Sequence, residues 1–218
     1  PTFNAPPHCF IGLIAGGDRA IRTSLEGAED NEQFGIDDIR KLQVGRSDLV
    51  IGLAASGRTP YVGGALREAR ARGAKTALVA CNKRAELSPL ADVAVEVEVG
   101  PEVIMGSTRL KAGTAQKLVL NMISTGAMIK LGKVYGNLMV DLQTTNRKLH
   151  DRAVRIIMEA TGTTLQAAEE AYKKCGHQVK VAIVHLLTGE DVDQAKLRLE
   201  KAKGRIREAL VLRAVDFS

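Results

Sequence analysis

The pattern of apolar and polar positions is clearest in the stretch from Leu49 to Tyr61. Its first seven residues, L-V-I-G-L-A-A, are nearly all apolar, which predicts a strand buried on both faces, as in a parallel sheet. The polar residues 56–59 follow at once, and Pro60 suits the first turn of a helix. Apolar residues at helical spacing extend this helix over residues 60–72. The predicted order is therefore buried strand, polar loop and helix N-terminus.

Similar runs elsewhere predict alternating strands and helices. Further strands are predicted at Cys9–Ala15, Thr76–Cys81 and Val93–Val99, and the alternating acidic residues of the last run indicate an edge strand. Helices are predicted on two apolar patterns between these strands: Ile21, Leu25 and Ala28 after Asp18, and Ile36, Ile39 and Leu42 after Gly35. This alternation predicts an α/β fold with a doubly wound parallel sheet. Ligands of such sheets bind at the carboxyl ends of the strands, where residues 16–18 and 55–59 are expected.

The second half of the sequence is mostly helical. A long helix with Leu118, Met122 and Ile129 along one side follows the segment Gly100–Lys117, with Ser107 or Thr108 as its N-cap. After an apolar connector, helices are predicted at residues 152–160, from Thr163 onward and at 179–187, followed by a basic amphipathic tail. We therefore expect an α/β domain over residues 1–150 and a small three-helix module over residues 151–218.

Composition and charge exclude several classes of protein. The 218 residues are 45% hydrophobic and 26% charged, and no run of eighteen apolar residues predicts a membrane span. The net charge of +6 is concentrated near the C-terminus without interleaved aromatic residues, which favours a solvated basic helix face over a nucleic-acid site. Three scattered cysteines indicate reduced thiols in a cytoplasmic protein, and the lack of a ligand cluster predicts no metal site.

The loop at residues 56–59 is the first candidate site. A helix N-terminus offers free N–H groups and a positive dipole end to an anion such as phosphate. Gly57 lets the backbone approach closely, and two hydroxyls and a guanidinium lie beside it on Ser56, Thr59 and Arg58. An ordinary βα turn rich in small residues fits the same pattern, so both interpretations stay open here.

Two other segments place charges against a predicted helix dipole. Acidic residues cluster at the predicted C-terminus of the helix that follows Asp18, namely Glu26, Glu29, Asp30 and Glu32. Arg109 and Lys111 fall in the first turn of the long helix. A locally unfavourable choice of residue can mark function. From the residues alone a solvated surface explains the acidic cluster better, and both interpretations stay open for the two cations.

Three stretches together resemble one family of enzymes. E-G-A-E-D at residues 26–30, A-A-S-G-R-T-P-Y at residues 54–61 and the segment Gly100–Lys117 are similar, in order and spacing, to the N-acetylmuramic acid 6-phosphate etherases. These enzymes have the sugar-isomerase (SIS) fold and are related to the glucokinase regulatory protein. The resemblance extends through G-K-V-Y-G-N-L-M-V-D at residues 132–141 and covers essentially the whole chain.

The resemblance implies a lyase that cleaves the lactyl ether of N-acetylmuramic acid 6-phosphate, giving N-acetylglucosamine 6-phosphate and D-lactate. It implies no metal and no organic cofactor, and it makes Glu29 the leading catalytic residue. Arg58 either assists at the phosphate or pairs with an acidic neighbour. The residues that it places around the substrate are Ser56, Gly57, Arg58, Thr59, Ser107, Arg109 and Lys111.

The resemblance also carries expectations about partners and about the extent of the chain. We expect a homodimer that binds a small phosphosugar, and neither a nucleic acid nor a membrane. The etherases carry, before the position of Pro1, a strand with a G-T-S-G-R loop and a D-A-S-E segment holding a second catalytic glutamate. We therefore expect an N-terminally truncated chain that is inactive alone. A non-catalytic phosphosugar-binding regulator of the glucokinase regulatory protein type is the alternative function, and a nucleic-acid-binding regulator that uses the basic tail is a third.

Overall fold

The computed structural model describes residues 3–142 and 146–212. Contacts between Cα atoms divide the chain into two units, Ile11–Met122 and a second unit made of Pro1–Phe10 with Ile123–Ser218. The division falls inside one long helix. The domain boundary at residue 150 stays a prediction.

The first unit is built on a parallel sheet of three strands. The strands are β1 (Leu49–Leu53), β2 (Lys75–Ala80) and β3 (Val93–Glu96), in the order β1-β2-β3. Gly52 pairs with Leu78, and Val79 pairs with Val95. β2 lies in the middle, and its residues 78–80 are fully buried. Each predicted strand from Leu49 onward is confirmed, and so is the edge position of β3.

Two predictions about strands are wrong, and both concern the same edge of the sheet. The side chains of Leu49 and Leu53 are 55% and 41% exposed, because β1 is an edge strand and not a central one. The apolar run Cys9–Ala15 forms no strand, and both Phe10 and Ile11 are exposed. Apolar residues form a strand only where a neighbour accepts and donates the backbone hydrogen bonds. Among the described residues no strand pairs with the outer edge of β1.

The first unit also contains helical elements. They are α1 (Gly17–Ala20), α2 (Glu32–Lys41), α3 (Pro60–Ala71) and the first part of α4 (Lys111–Lys130), and a short 3₁₀ turn spans Ser88–Leu90. The predicted helix with Ile21, Leu25 and Ala28 is wrong, since α1 is a single turn and Gly27 takes a positive φ of 74°. α2 begins later, where the side chain of Asn31 accepts a hydrogen bond from the N–H of Gln33.

The helices α2 and α3 pack with their backbones in close approach. A Cβ added at Gly35 would lie 2.0 Å from the carbonyl oxygen of Tyr61, and one at Gly64 would lie 2.2 Å from that of Glu32. The sequence predicted that this helix begins after Gly35, and this boundary is wrong. Gly35 lies within α2 and is buried, and the lack of a side chain there lets α3 reach it.

The second unit contains a hairpin and a group of helices. The hairpin pairs β4 (Val134–Tyr135) with β5 (Leu138–Met139), where the sequence predicted only a connector. The helices are α5 (Arg147–Thr161), α6 (Leu165–Lys174), α7 (Val179–Thr188), α8 (Val192–Lys201) and α9 (Ile206–Val211). α7 is buried along residues 181–184. The three predicted helices are present, and the predicted tail forms two more.

Several side chains of the second unit differ from their predicted roles. Arg198 is buried, not solvated, since it pairs with the carboxylate of Glu190 and donates to the carbonyl of Ala209 at 3.0 Å. Thr164, one residue later than predicted, caps α6 by accepting from the N–H of Ala167. Of the three free cysteines, Cys81 in the first unit and Cys175 in the second are buried, whereas Cys9 is exposed. Within residues 3–142 and 146–212, none of the helices has both the length and the apolar character needed to cross a bilayer.

The glycine contacts predict opposite effects of the same substitution in two helices. Gly35→Ala should lower the free energy of unfolding by about 1–3 kcal/mol, because the new methyl group would overlap the backbone of α3. Gly126→Ala in α4 is the matched control: apart from the adjacent residues and the nearby backbone of its own helix, no described atom lies within 4 Å of its Cβ position. It should therefore raise this free energy by about 0.5–1 kcal/mol. Urea unfolding at equilibrium measures both. Equal effects of the two substitutions would contradict the close approach of α2 and α3.

Candidate active site

Two loops meet at the carboxyl edge of the sheet. We call residues 54–59, which follow β1, the anion loop, and residues 81–88, which follow β2, the brace loop. The N–H of Cys81 donates to the carbonyl of Ala55 at 3.0 Å, and the side-chain amide of Asn82 donates to the same oxygen at 3.1 Å. Because β1 and β2 are parallel, both loops leave the sheet at the edge where ligands of α/β sheets bind.

Gly57 shapes the anion loop in two ways. Its φ is +72°, a left-handed conformation that favours glycine, and its N–H donates to the carbonyl of Ala54 at 2.9 Å. A Cβ on Gly57 would also lie 2.4 Å from the Cβ of Ala85 in the brace loop. The tight turn and the close packing therefore both require glycine here.

The polar side chains of the anion loop are available to a ligand. Thr59 is the N-cap residue of α3, yet its side chain makes no capping hydrogen bond. The hydroxyl of Ser56 accepts only a long contact of 3.4 Å from the N–H of Arg58. Among the described residues, no carboxylate lies within ion-pair distance of the Arg58 guanidinium. Ser56 and Arg58 are exposed and Thr59 is half-buried. All three lie near the N-terminus of α3, where the dipole favours an anion.

Glu29 lies beside this loop. Its backbone carbonyl accepts a hydrogen bond of 3.0 Å from the N–H of Tyr61, in the first turn of α3. A cleft of about 410 Å³ is lined by Glu29, Asp30, Ser56, Arg58, Thr59 and Pro60. The structure therefore brings the predicted carboxylate together with three of the four predicted residues of the anion loop, and the fourth, Gly57, is buried beneath them.

The prediction that a helix dipole opposes the negative charge of Glu29 is wrong. The sequence placed the acidic cluster at the C-terminus of a helix, where the dipole opposes negative charge. In the structure Glu29 and Asp30 lie in a turn immediately before Asn31, the N-cap of α2. That end of a helix favours carboxylates. The candidacy of Glu29 accordingly rests on its position in the cleft and on the family resemblance.

Polar contacts between α2 and α3 hold the Glu29 turn against the anion loop. The buried Tyr61 donates its hydroxyl proton to Asp38 at 2.7 Å, and burial, followed by the Asp38 carboxylate, raises the pKa of Tyr61. Arg67 donates to Glu32 at 2.8 Å, and Arg40 donates through two nitrogens to Glu68. Sequence reasoning missed Tyr61 and Asp38, because nothing in the order of residues signals that these two helices are neighbours.

The segment Gly100–Lys117 differs from its prediction. The N-terminus of α4 is capped by Glu102, whose carboxylate accepts from the N–H groups of Lys111 and Ala112 at 3.0 Å each. These bonds, that of Ala112 first, lower the pKa of Glu102. Neither Ser107 nor Thr108 is the cap, and the anion that this helix end favours is supplied by the chain itself.

The predicted cations of this segment lie apart from the cleft. Lys111 uses its ammonium group to donate to the carbonyl of Pro101 at 2.8 Å, and Arg109 is exposed. The described lining of the cleft includes none of Ser107, Arg109 and Lys111. Their role at a ligand site stays a prediction. In the described ranges, no group of three or more His, Cys, Asp or Glu residues is arranged to hold a metal ion.

Comparison with known protein families agrees with this architecture. Residues 2–70 match the model of the glucokinase regulatory protein N-terminal SIS domain, and residues 136–181 match the C-terminal lid domain of the same protein. Together with the parallel sheet and its loops, the first match assigns the chain to the SIS-domain class and confirms the predicted α/β fold class with a C-terminal helical part.

Individual relatives identify the family. The chain is 57% identical to the N-acetylmuramic acid 6-phosphate etherase of Shouchella clausii over 210 residues, which cover 96% of this chain and 71% of the relative. It is 53% identical, at the same coverage, to the proteins of that name from Geobacillus thermodenitrificans and Cronobacter sakazakii. The chain belongs to the N-acetylmuramic acid 6-phosphate etherase family. The predicted resemblance is confirmed, and with it the class of enzyme, a carbon–oxygen lyase.

Proposed function

We propose that this enzyme cleaves the lactyl ether of N-acetylmuramic acid 6-phosphate to N-acetylglucosamine 6-phosphate and D-lactate, using the cleft between the anion loop and Glu29. The name shared by relatives more than 50% identical to the chain supports the substrate. One observation carries the position: a carboxylate and the hydroxyls of the anion loop line the same cleft. The phosphate binds to Ser56, Gly57 and Thr59 with the help of Arg58, which places the sugar near Glu29.

The proposed ether cleavage requires proton transfer and a bound phosphate. In the open-chain sugar the aldehyde acidifies the C2 proton, so a carboxylate removes it and the electron pair forms the C2–C3 double bond. The C3–O bond breaks, and the lactate oxygen takes up a proton as it leaves. Water then adds at C3 and returns a proton to C2, which balances the hydrolysis. Glu29 supplies one of these general acid or base steps, and the residues of the cleft suffice for it without a metal or organic cofactor.

The alternative function, a non-catalytic phosphosugar-binding regulator, is supported by matches over a smaller part of the chain. The two family models carry the name of the glucokinase regulatory protein, but they match only residues 2–70 and 136–181. The etherase relatives align over 96% of the chain. A regulator would bind the phosphosugar without releasing lactate, so an assay of D-lactate release from N-acetylmuramic acid 6-phosphate with the full-length protein separates the two functions.

The proposal includes the cellular setting. The enzyme acts on a small phosphosugar in the cytoplasm, and three free cysteines are in keeping with a reducing compartment. It acts as a homodimer, for which the exposed apolar side chains of Leu118 and Met122 on α4 offer self-association surface. Ser107, Arg109 and Lys111 remain secondary candidates for ligand contact.

The anion loop can be tested by removing its hydroxyls. The double substitution Ser56→Ala with Thr59→Ala removes two donors to a charged phosphate, each worth about 1.5–3 kcal/mol. The affinity for N-acetylglucosamine 6-phosphate, measured by calorimetry, should fall at least about tenfold while the protein stays folded. Ser47→Ala with Thr125→Ala, at exposed positions outside the cleft, is the matched control. Unchanged affinity in the first double variant would refute the assignment.

Glu29 can be tested by replacing its carboxylate with an amide. In Glu29→Gln of the full-length protein, phosphosugar binding should persist because the phosphate is held by the anion loop. Release of D-lactate should fall by about 10²–10⁴, the range for the loss of one general acid or base. Glu26→Gln, an exposed neighbour outside the cleft lining, is the control and should keep its activity.

Exchange of the C2 proton with solvent deuterium assigns the role. If Glu29 is the base at C2, exchange and lactate release should fall together in Glu29→Gln. If Glu29 only protonates the leaving group, exchange should persist while release fails. Near wild-type turnover of Glu29→Gln would end the proposal.

A further inference from the structure

The anion loop rests on the brace loop. The carbonyl of Gly57 accepts a hydrogen bond of 2.9 Å from the N–H of Leu87, and Ala85 packs directly against the Gly57 Cα. The side-chain amide of Asn82, also in the brace loop, donates a hydrogen bond to the carbonyl of Ala55 in the anion loop. The backbone position of the anion loop is therefore set by the position of the brace loop.

The brace loop in turn is held by Glu96, the last residue of β3. One oxygen of its carboxylate accepts from the N–H of Arg84 at 2.9 Å, and the other accepts from the N–H of Ala85 at 2.9 Å and from the hydroxyl of Ser88 at 2.5 Å. The bonds from Ser88 and from the two N–H groups lower the pKa of Glu96. A single ionised side chain thus fixes the brace loop at three residues, Arg84, Ala85 and Ser88.

This role is hidden in the sequence. Glu96 and Glu98 occupy equivalent positions in the alternating run V-A-V-E-V-E-V, which predicted only an edge strand. In the structure the two residues have different surroundings. Glu96 is half-buried under the brace loop, whereas Glu98 is exposed and pairs at the surface with Lys83.

We propose that Glu96 is a positioning residue for the substrate phosphate: it fixes the brace loop, and through Ala85 and Leu87 it fixes the Gly57 turn of the anion loop. The inference rests on the proposed function of the anion loop. Glu96 is not among the residues that line the cleft, so it acts through other residues. Hydrogen bonds to a phosphate depend on alignment to within tenths of an ångström, so a loosened support weakens binding without removing any group that contacts the substrate.

The substitution Glu96→Gln tests this inference. The amide keeps the shape of the side chain, but its NH₂ group faces donors and leaves at least one of the three bonds unmade. In the full-length protein the KM for N-acetylmuramic acid 6-phosphate and the dissociation constant of N-acetylglucosamine 6-phosphate should each rise by about tenfold. The kcat should stay within about twofold of wild type, because the binding lost is common to substrate and transition state.

Glu98→Gln is the matched control, since it removes a carboxylate two residues along the chain that pairs with the same loop at its exposed surface. Its KM should remain at the wild-type value, as expected for a surface ion pair. Ser88→Ala is the second variant: it removes one donor to Glu96 and leaves the carboxylate in place, so it should raise KM by a smaller factor. If Glu96→Gln does not fold, the KM of Ser88→Ala decides the question.

A purely structural role gives a different result. Partial unfolding of Glu96→Gln would lower the active fraction, and hence the apparent kcat, with KM unchanged, and this outcome would overturn the inference. An unchanged KM in both Glu96→Gln and Ser88→Ala would do the same. If Ser56→Ala with Thr59→Ala weakens binding while the Glu96 and Ser88 variants do not, the anion loop stands and only the positioning role fails. If none of these variants affects binding, the proposed site itself is wrong.

Discussion

The close approach of α2 to α3 is the constraint on which the candidate site depends. At Gly35 and Gly64 the backbone of each helix occupies space that a side chain of the other would need. Only at this separation does the carbonyl of Glu29, just before α2, accept a hydrogen bond from the first turn of α3. The hydrogen bond from Tyr61 of α3 to Asp38 of α2 stabilises the same helix contact. The position of a carboxylate beside the anion loop is thus a consequence of helix packing.

The anion loop is supported from two directions. On one side α3 continues directly from Thr59 and is held by α2. On the other side the brace loop contacts Gly57 and is itself held by Glu96 of β3. The ligand-facing hydroxyls of Ser56 and Thr59 are not needed for either support. Because other groups support the backbone, these hydroxyls remain available to a phosphate while the loop beneath them stays fixed.

Sequence reasoning identified the parts of the site whose signals are local. The strand, loop and helix from Leu49 to Ala71 follow from an apolar run, a glycine and a proline in consecutive residues, and the structure has each of them. It failed where the deciding partner is distant. The run Cys9–Ala15 has the composition of a strand but pairs with no strand among the described residues. The contacts of Glu96 with the brace loop likewise cannot be read from its alternating run. The cap of α4 illustrates the same limit, since Glu102 reaches the helix from nine residues upstream, beyond the usual capping positions.

The central claim is that the phosphosugar binds between the anion loop and the Glu29 turn. Backbone amide chemical shifts measured during a titration with N-acetylglucosamine 6-phosphate test this claim most directly. The account predicts the largest saturable shifts at residues 56–59 with accompanying shifts at Glu29 and Asp30. Saturable shifts confined to Ser107–Lys111, with the anion loop unmoved, would contradict it.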